Sequence, residues 1–184
     1  MMTSKLRTSR SGGKSTQINS EMHDRLVALK AQSSSPISDV FPLNTSLEWE
    51  GSAPNLWPAP DACGWLRPGE LFIVEIDDQA DPGRSIVKYW PLLKRVARGD
   101  YEVQRIVYLA ISSPNATFGA GYEALADFCG AEFSKLFGSR FAFLKTTLRG
   151  PSGAVLDAAR LVETAVEYFR TASTTEFASP DPKP

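Results

Sequence analysis

The stretch ELFIVEID, Glu70–Asp77, constrains this chain more than any other. Its apolar residues are not confined to alternate positions, so a strand here is buried on both faces and needs a covering layer on each side. Two runs of the same kind follow, VQRIVYLAIS and FAFLKTTL. Between them lie helical patterns. IVKYWPLLKRVARG spaces Ile86, Trp90, Leu93 and Ala97 along one side and ends at Gly99. Pro91 would delete a hydrogen bond inside a helix, so regular helix is expected from about Lys88 onward. GAGYEALADFCGAEFSKLFG reads as a helix, and SGAVLDAARLVETAVEYFRTA as a closing helix capped by Ser152.

The first half adds a helix through EMHDRLVALKAQ, capped by Ser20, with Glu21 and Asp24 in its first turn. SSSPISDVFPLN reads as a loop, SLEWE (Ser46–Glu50) as a strand, and DACGWL as a short strand running up to an Arg67-Pro68-Gly69 turn. The order is helix, three strands, helix, strand, helix, strand, helix. It predicts an α/β sandwich with a hairpin in its first half and parallel pairing in its second.

With 184 residues and 42% hydrophobic content, the chain supports one domain with a proper core, expected over residues 20–172. Residues 1–19 carry Lys5, Arg7, Arg10 and Lys14 and no acid, and are expected to be a disordered basic arm. The tail 173–184 is expected to be disordered as well. Within the arm, GGKST lacks the earlier glycine of a phosphate-binding loop, because Thr8 stands there.

Cys63 and Cys129 are far apart and in no CxxC spacing, which points to a reducing, cytoplasmic compartment. No apolar run is long enough to span a membrane. A single histidine, His23, read as a solvated helix residue, removes zinc sites and histidine-based nucleases from consideration. Any metal must be a hard one held by carboxylates, Mg²⁺ or Mn²⁺. Net charge is −1, so nucleic-acid binding would have to come from local clusters. Lys94, Arg95 and Arg98 on the helix after ELFIVEID, with Arg67 and Arg84 beside the hairpin, could meet phosphates without reading sequence. Trp49, Trp57, Trp65 and Trp90 read as packing residues.

Side chains alternate along a strand, so Ile73, Glu75 and Asp77 share one face. Carboxylates two residues apart lie roughly 7 Å from each other, too far for one ion unless it sits between them, and a third acid from a neighbouring strand could close a metal site. The Arg67-Pro68-Gly69 turn folds Asp61 back alongside Glu75 and offers that third acid.

Pro60-Asp61 on one hairpin strand, and Glu75-Ile76-Asp77 on the next, in this order of elements, resemble the restriction-endonuclease-like PD-(D/E)XK nuclease superfamily. The resemblance spans residues 20–146. It implies a three-layer α/β sandwich, a central mixed sheet flanked by helices. It also implies Mg²⁺-dependent (or Mn²⁺-dependent) phosphodiester hydrolysis acting on DNA. Asp61 and Glu75 would be the metal ligands, with Asp77 as an auxiliary one. The chain departs from the pattern where the lysine should follow the glutamate, because Asp77 stands there. Some members of the superfamily carry that lysine on the next helix, and Lys88 is the stand-in here. Glu21 would match a first-helix glutamate of some members. A homodimer and an unidentified protein partner are further expectations.

Two other readings compete. LFIVEIDD is similar to the acidic first strand of a phosphoacceptor receiver domain, but that fold needs an aspartate where RIVYLAISS offers only Ser112 and Ser113. The other is a catalytically inactive nuclease-fold module that binds nucleic acid or a protein. The position of Lys88 relative to Asp61 and Glu75 separates it from an enzyme.

Overall fold

The computed structural model describes residues 5–10, 17–48, 57–77, 82–112, 119–147 and 158–174. In chain order the elements are β1 (Arg7–Arg10), α1 (Gln17–Lys30), β2 (Asp39–Val40), β3 (Thr45–Glu48), β4 (Ala62–Arg67), β5 (Glu70–Asp77), α2 (Pro82–Val87), α3 (Trp90–Arg98), β6 (Arg105–Ser112), α4 (Gly119–Phe137), β7 (Phe141–Thr147) and α5 (Ala158–Thr174). A five-stranded mixed sheet runs β2-β4-β5-β6-β7. Its first three strands are antiparallel and its last three parallel. The fold is α/β, as the spacing of apolar runs implies.

ELFIVEID sits in the centre of this sheet because neither of its faces tolerates water. Phe72 and Val74 pack with Met22, Leu26 and Leu29 of α1 and with Leu161, Ala165 and Phe169 of α5. Leu71 and Ile73 pack on the opposite side with Leu92, Leu93 and Val96 of α3 and Phe133 of α4. Phe72, Ile73, Leu26 and Leu92 are wholly inaccessible. Each such side chain contributes roughly 1.5–3 kcal/mol relative to exposure. Helices therefore cover both faces.

Two glycines shape the hairpin end and the sheet edge. Gly69 turns the chain between β4 and β5 at φ +85°, a left-handed conformation that side chains rarely adopt. A Cβ on Gly64 would lie 2.1 Å from the Asp39 carbonyl oxygen, so only glycine lets β2 approach β4.

Several expectations change. Asp39–Val40, expected in a loop, forms the edge strand β2. The SLEWE strand exists as β3, but it pairs antiparallel with β1 in a separate two-stranded sheet, so Arg7–Arg10 is strand rather than disordered arm. Ser20 lies inside α1, which begins three residues earlier. The helix expected after β5 is divided by a turn at Lys88 and Tyr89, and Pro91 falls in the first turn of α3, where its missing N–H costs nothing. GGKST, Trp49, Ser113, Ser152 and residues 175–184 lie outside the described residues.

Candidate functional site

Glu75 stands near the C-terminal end of β5, on the α3 side of the sheet and 4% exposed. The turn between α2 and α3 brings two consecutive side chains onto it. Lys88 Nζ lies 2.9 Å from both carboxylate oxygens. The Tyr89 hydroxyl donates to Oε1. The ammonium also sits 5.4 Å from the centre of the Tyr89 ring. Lys88 is partly open to solvent while Tyr89 is wholly buried, so the pair links the buried acid to the surface.

Asp61 approaches from the neighbouring strand. Ala62 pairs with Val74, and extending that register by one residue sets Asp61 opposite Glu75. Its carboxylate is fixed from two sides. The Ile76 N–H donates to Oδ2 at 2.6 Å, and the Asn19 amide of α1 donates to Oδ1. The first helix thus reaches the site through Asn19. Glu21 does not: it is exposed and accepts a hydrogen bond from Gln17.

Burial pushes the Glu75 carboxyl up to about 7, with the Asp61 charge adding to the rise while Lys88 and Tyr89 oppose it. Burial, with the Glu75 charge next, also holds the Tyr89 hydroxyl and the Cys63 thiol above their ordinary ranges. A carboxyl poised near neutrality beside a lysine and a second acid is the kind of perturbed group that gathers at functional sites.

Of the four residues singled out in the sequence, three meet here: Asp61, Glu75 and Lys88. Lys88 belongs to the α2–α3 turn rather than to the first turn of a continuous helix. Asp77 shares the strand face but accepts a hydrogen bond from Ser85 of α2 at 2.6 Å. The expected trio of metal-binding acids is accordingly not assembled. Among the described residues no three His, Cys, Asp or Glu side chains group so as to hold an ion. The reason is the strand repeat, which puts Asp77 one row beyond Glu75, against a helix that supplies its partner.

Sequence reasoning missed Asn19, Ser85, Tyr89 and a further buried tyrosine, Tyr108 of β6. Tyr108 follows the alternation Ile106, Tyr108, Ala110 on the same face as Glu75, a signal legible once β5 and β6 are paired in parallel. The cations named beside the hairpin and on the following helix stand where the sequence order puts them. Arg67 bonds Glu70 at the turn end of β5, away from the acids, while Lys94 and Arg98 are exposed on α3. His23 is not solvated; its ring is largely covered and meets the Phe41 carbonyl. Trp65 and Trp90 are packing residues, against Phe41 and against Phe133 and Phe137.

No known protein family, curated protein or solved structure matches this chain. No helix among the described residues is long and apolar enough to cross a membrane.

Proposed function

We propose that the protein is a metal-dependent nuclease of the restriction-endonuclease-like type, with its lysine relocated from position 77 to Lys88. The observation that carries this reading is the 2.9 Å contact between Lys88 and Glu75, beside Asp61. The same reading draws on the order of elements in the main sheet: α1, the antiparallel strands β2, β4 and β5, then the parallel strands β6 and β7 reached through helices.

The carboxylates of Asp61 and Glu75 are hard oxygen donors on adjacent strands. Magnesium commonly takes only one or two protein carboxylates and completes its shell with water and substrate phosphate. A two-acid set therefore suits Mg²⁺ or Mn²⁺, and Asp61 and Glu75 would hold it. Such an ion polarises a phosphodiester and acidifies water. The chain's own groups supply the rest. Asn19 and the Ile76 N–H hold Asp61 in one orientation. Lys88 can follow its charge from Glu75 toward a substrate phosphate. In hydrolysis, water forms a new bond to phosphorus while one phosphorus–oxygen ester bond breaks, the sugar oxygen leaving with the electron pair. That oxygen takes up a proton from solvent, and the attacking water gives one up to solvent. Negative charge grows on the phosphate oxygens, where a fixed ammonium is most effective. Lys94 and Arg98 on α3 would add contacts to the DNA backbone independent of sequence.

A binding module without catalysis draws on a different observation: both Glu75 oxygens already have protein partners. Incubating the purified chain with supercoiled DNA and Mg²⁺ or Mn²⁺ separates the two. The nuclease reading expects nicking that Glu75→Ala abolishes without unfolding the protein. Retained DNA binding with no cleavage would support the module instead.

A further inference from the structure

Tyr108 is wholly buried in the middle strand of the parallel half of the sheet. Its ring is held by aromatic neighbours, edge-on to Tyr89 at 5.5 Å and stacked with Phe143 at 6.1 Å. Phenylalanine would satisfy those contacts equally well. The hydroxyl, however, has no hydrogen-bond partner among the described residues. Buried hydroxyls are almost always bonded, so this one calls for a partner that the described residues do not supply.

Its placement is informative. Tyr108 stands opposite Ile73 in the parallel pairing of β5 and β6, which sets it on the face that carries Glu75 two residues further on. The charges of Glu75, Asp77 and Asp61 add to burial in holding the phenol well above its ordinary range. The neighbouring Tyr89 has already taken Glu75 Oε1. Tyr108 therefore faces the acids from the β6 side without bonding any of them. A small oxygen-bearing molecule lying between is the way such a gap is closed in proteins.

Resting on the nuclease reading above, we infer that Tyr108 is a further catalytic residue, its hydroxyl donating a hydrogen bond to the water that attacks the phosphodiester beside Glu75. Donation to that oxygen stabilises the negative charge it gains as its proton departs to solvent, without the phenol itself giving up a proton. Lys88 on one side and Tyr108 on the other would then fix the line of attack.

Tyr108→Phe tests this in the full chain. The metal-free variant is expected to melt at the wild-type temperature or slightly above it, because the change removes only an unbonded buried hydroxyl. Its turnover of a DNA substrate with Mg²⁺ is expected to fall on the order of 100-fold, with little change in KM. Wild-type turnover in the variant would overturn the inference and leave the nuclease reading intact. A melting temperature clearly below wild type would assign the hydroxyl a structural role and overturn it as well. If the wild-type protein itself cuts no DNA, the nuclease reading falls and this inference with it.

Discussion

Ser85 donates a hydrogen bond to Asp77 across 2.6 Å, joining α2 to the end of β5. Lys88 follows three residues after Ser85, and its ammonium reaches back to Glu75, two residues before Asp77. The two contacts close a small loop of chain. Asp77 thus anchors the segment that brings Lys88 to Glu75.

The anchoring role separates two fates for Asp77. Asp77→Asn keeps an oxygen for Ser85 and is expected to retain cleavage to within about 10-fold. Ser85→Ala leaves a buried carboxylate short of a donor and is expected to cost about 1–3 kcal/mol. Denaturant melts and turnover numbers check both. Abolished cleavage in Asp77→Asn would make Asp77 a ligand rather than an anchor.

The buried Glu75 carboxyl makes stability depend on pH. Its value rises from an ordinary 4.5 to about 7 on folding, so between these limits the folded state binds more protons than the unfolded one. Stability of the metal-free protein is expected to fall as pH rises through that window and to level off above it, by on the order of 3 kcal/mol. Glu75→Gln removes the titrating group. Its advantage over wild type in urea melts is therefore expected to grow from pH 4.5 to pH 8.

The proposed ion binding has the same sign. Glu75 would bind Mg²⁺ or Mn²⁺ as the carboxylate, so the ion would have to displace the proton. The rise in melting temperature on adding Mn²⁺ is expected to be larger at pH 8 than at pH 5.5. An equal rise at both values would detach Glu75 from the ion.

Asn19 offers a test of the first helix. Asn19→Ala deprives Asp61 of the Asn19 donor and is expected to destabilise the fold by roughly 1–2 kcal/mol and to weaken Mn²⁺ binding several-fold. Calorimetric titration measures the second effect, and Glu21→Ala serves as the control that leaves it unchanged.

What could be read from the chain follows a physical line. Runs apolar on both faces, ELFIVEID and RIVYLAIS, announce buried strands wherever the rest of the protein lies. Asp61 and Glu75 follow from strand alternation and one turn. Asp39–Val40 is too short for any periodicity; it is strand only because Gly64 lets it approach β4. The pairing of Thr45–Glu48 with Arg7–Arg10, rather than with the main sheet, depends on contacts across thirty-five to forty-one positions of chain. Asn19 and Tyr108 enter the site through helix docking and parallel register, which local pattern does not encode. Lys88 was legible through resemblance, yet its exact perch in the α2–α3 turn was not.

Gly64→Ala would check the first of those tertiary effects. The added methyl meets the Asp39 carbonyl, and the expected cost is about 1–3 kcal/mol, with amide exchange accelerated in β2 and β4 first.

Cleavage of supercoiled plasmid by Lys88→Ala, beside wild type at pH 8 with Mg²⁺, tests the relocated lysine most directly. Wild type is expected to nick the DNA, and the variant to lose on the order of 100-fold in rate while still binding Mn²⁺. Equal cleavage by both proteins, or none by either, would contradict it.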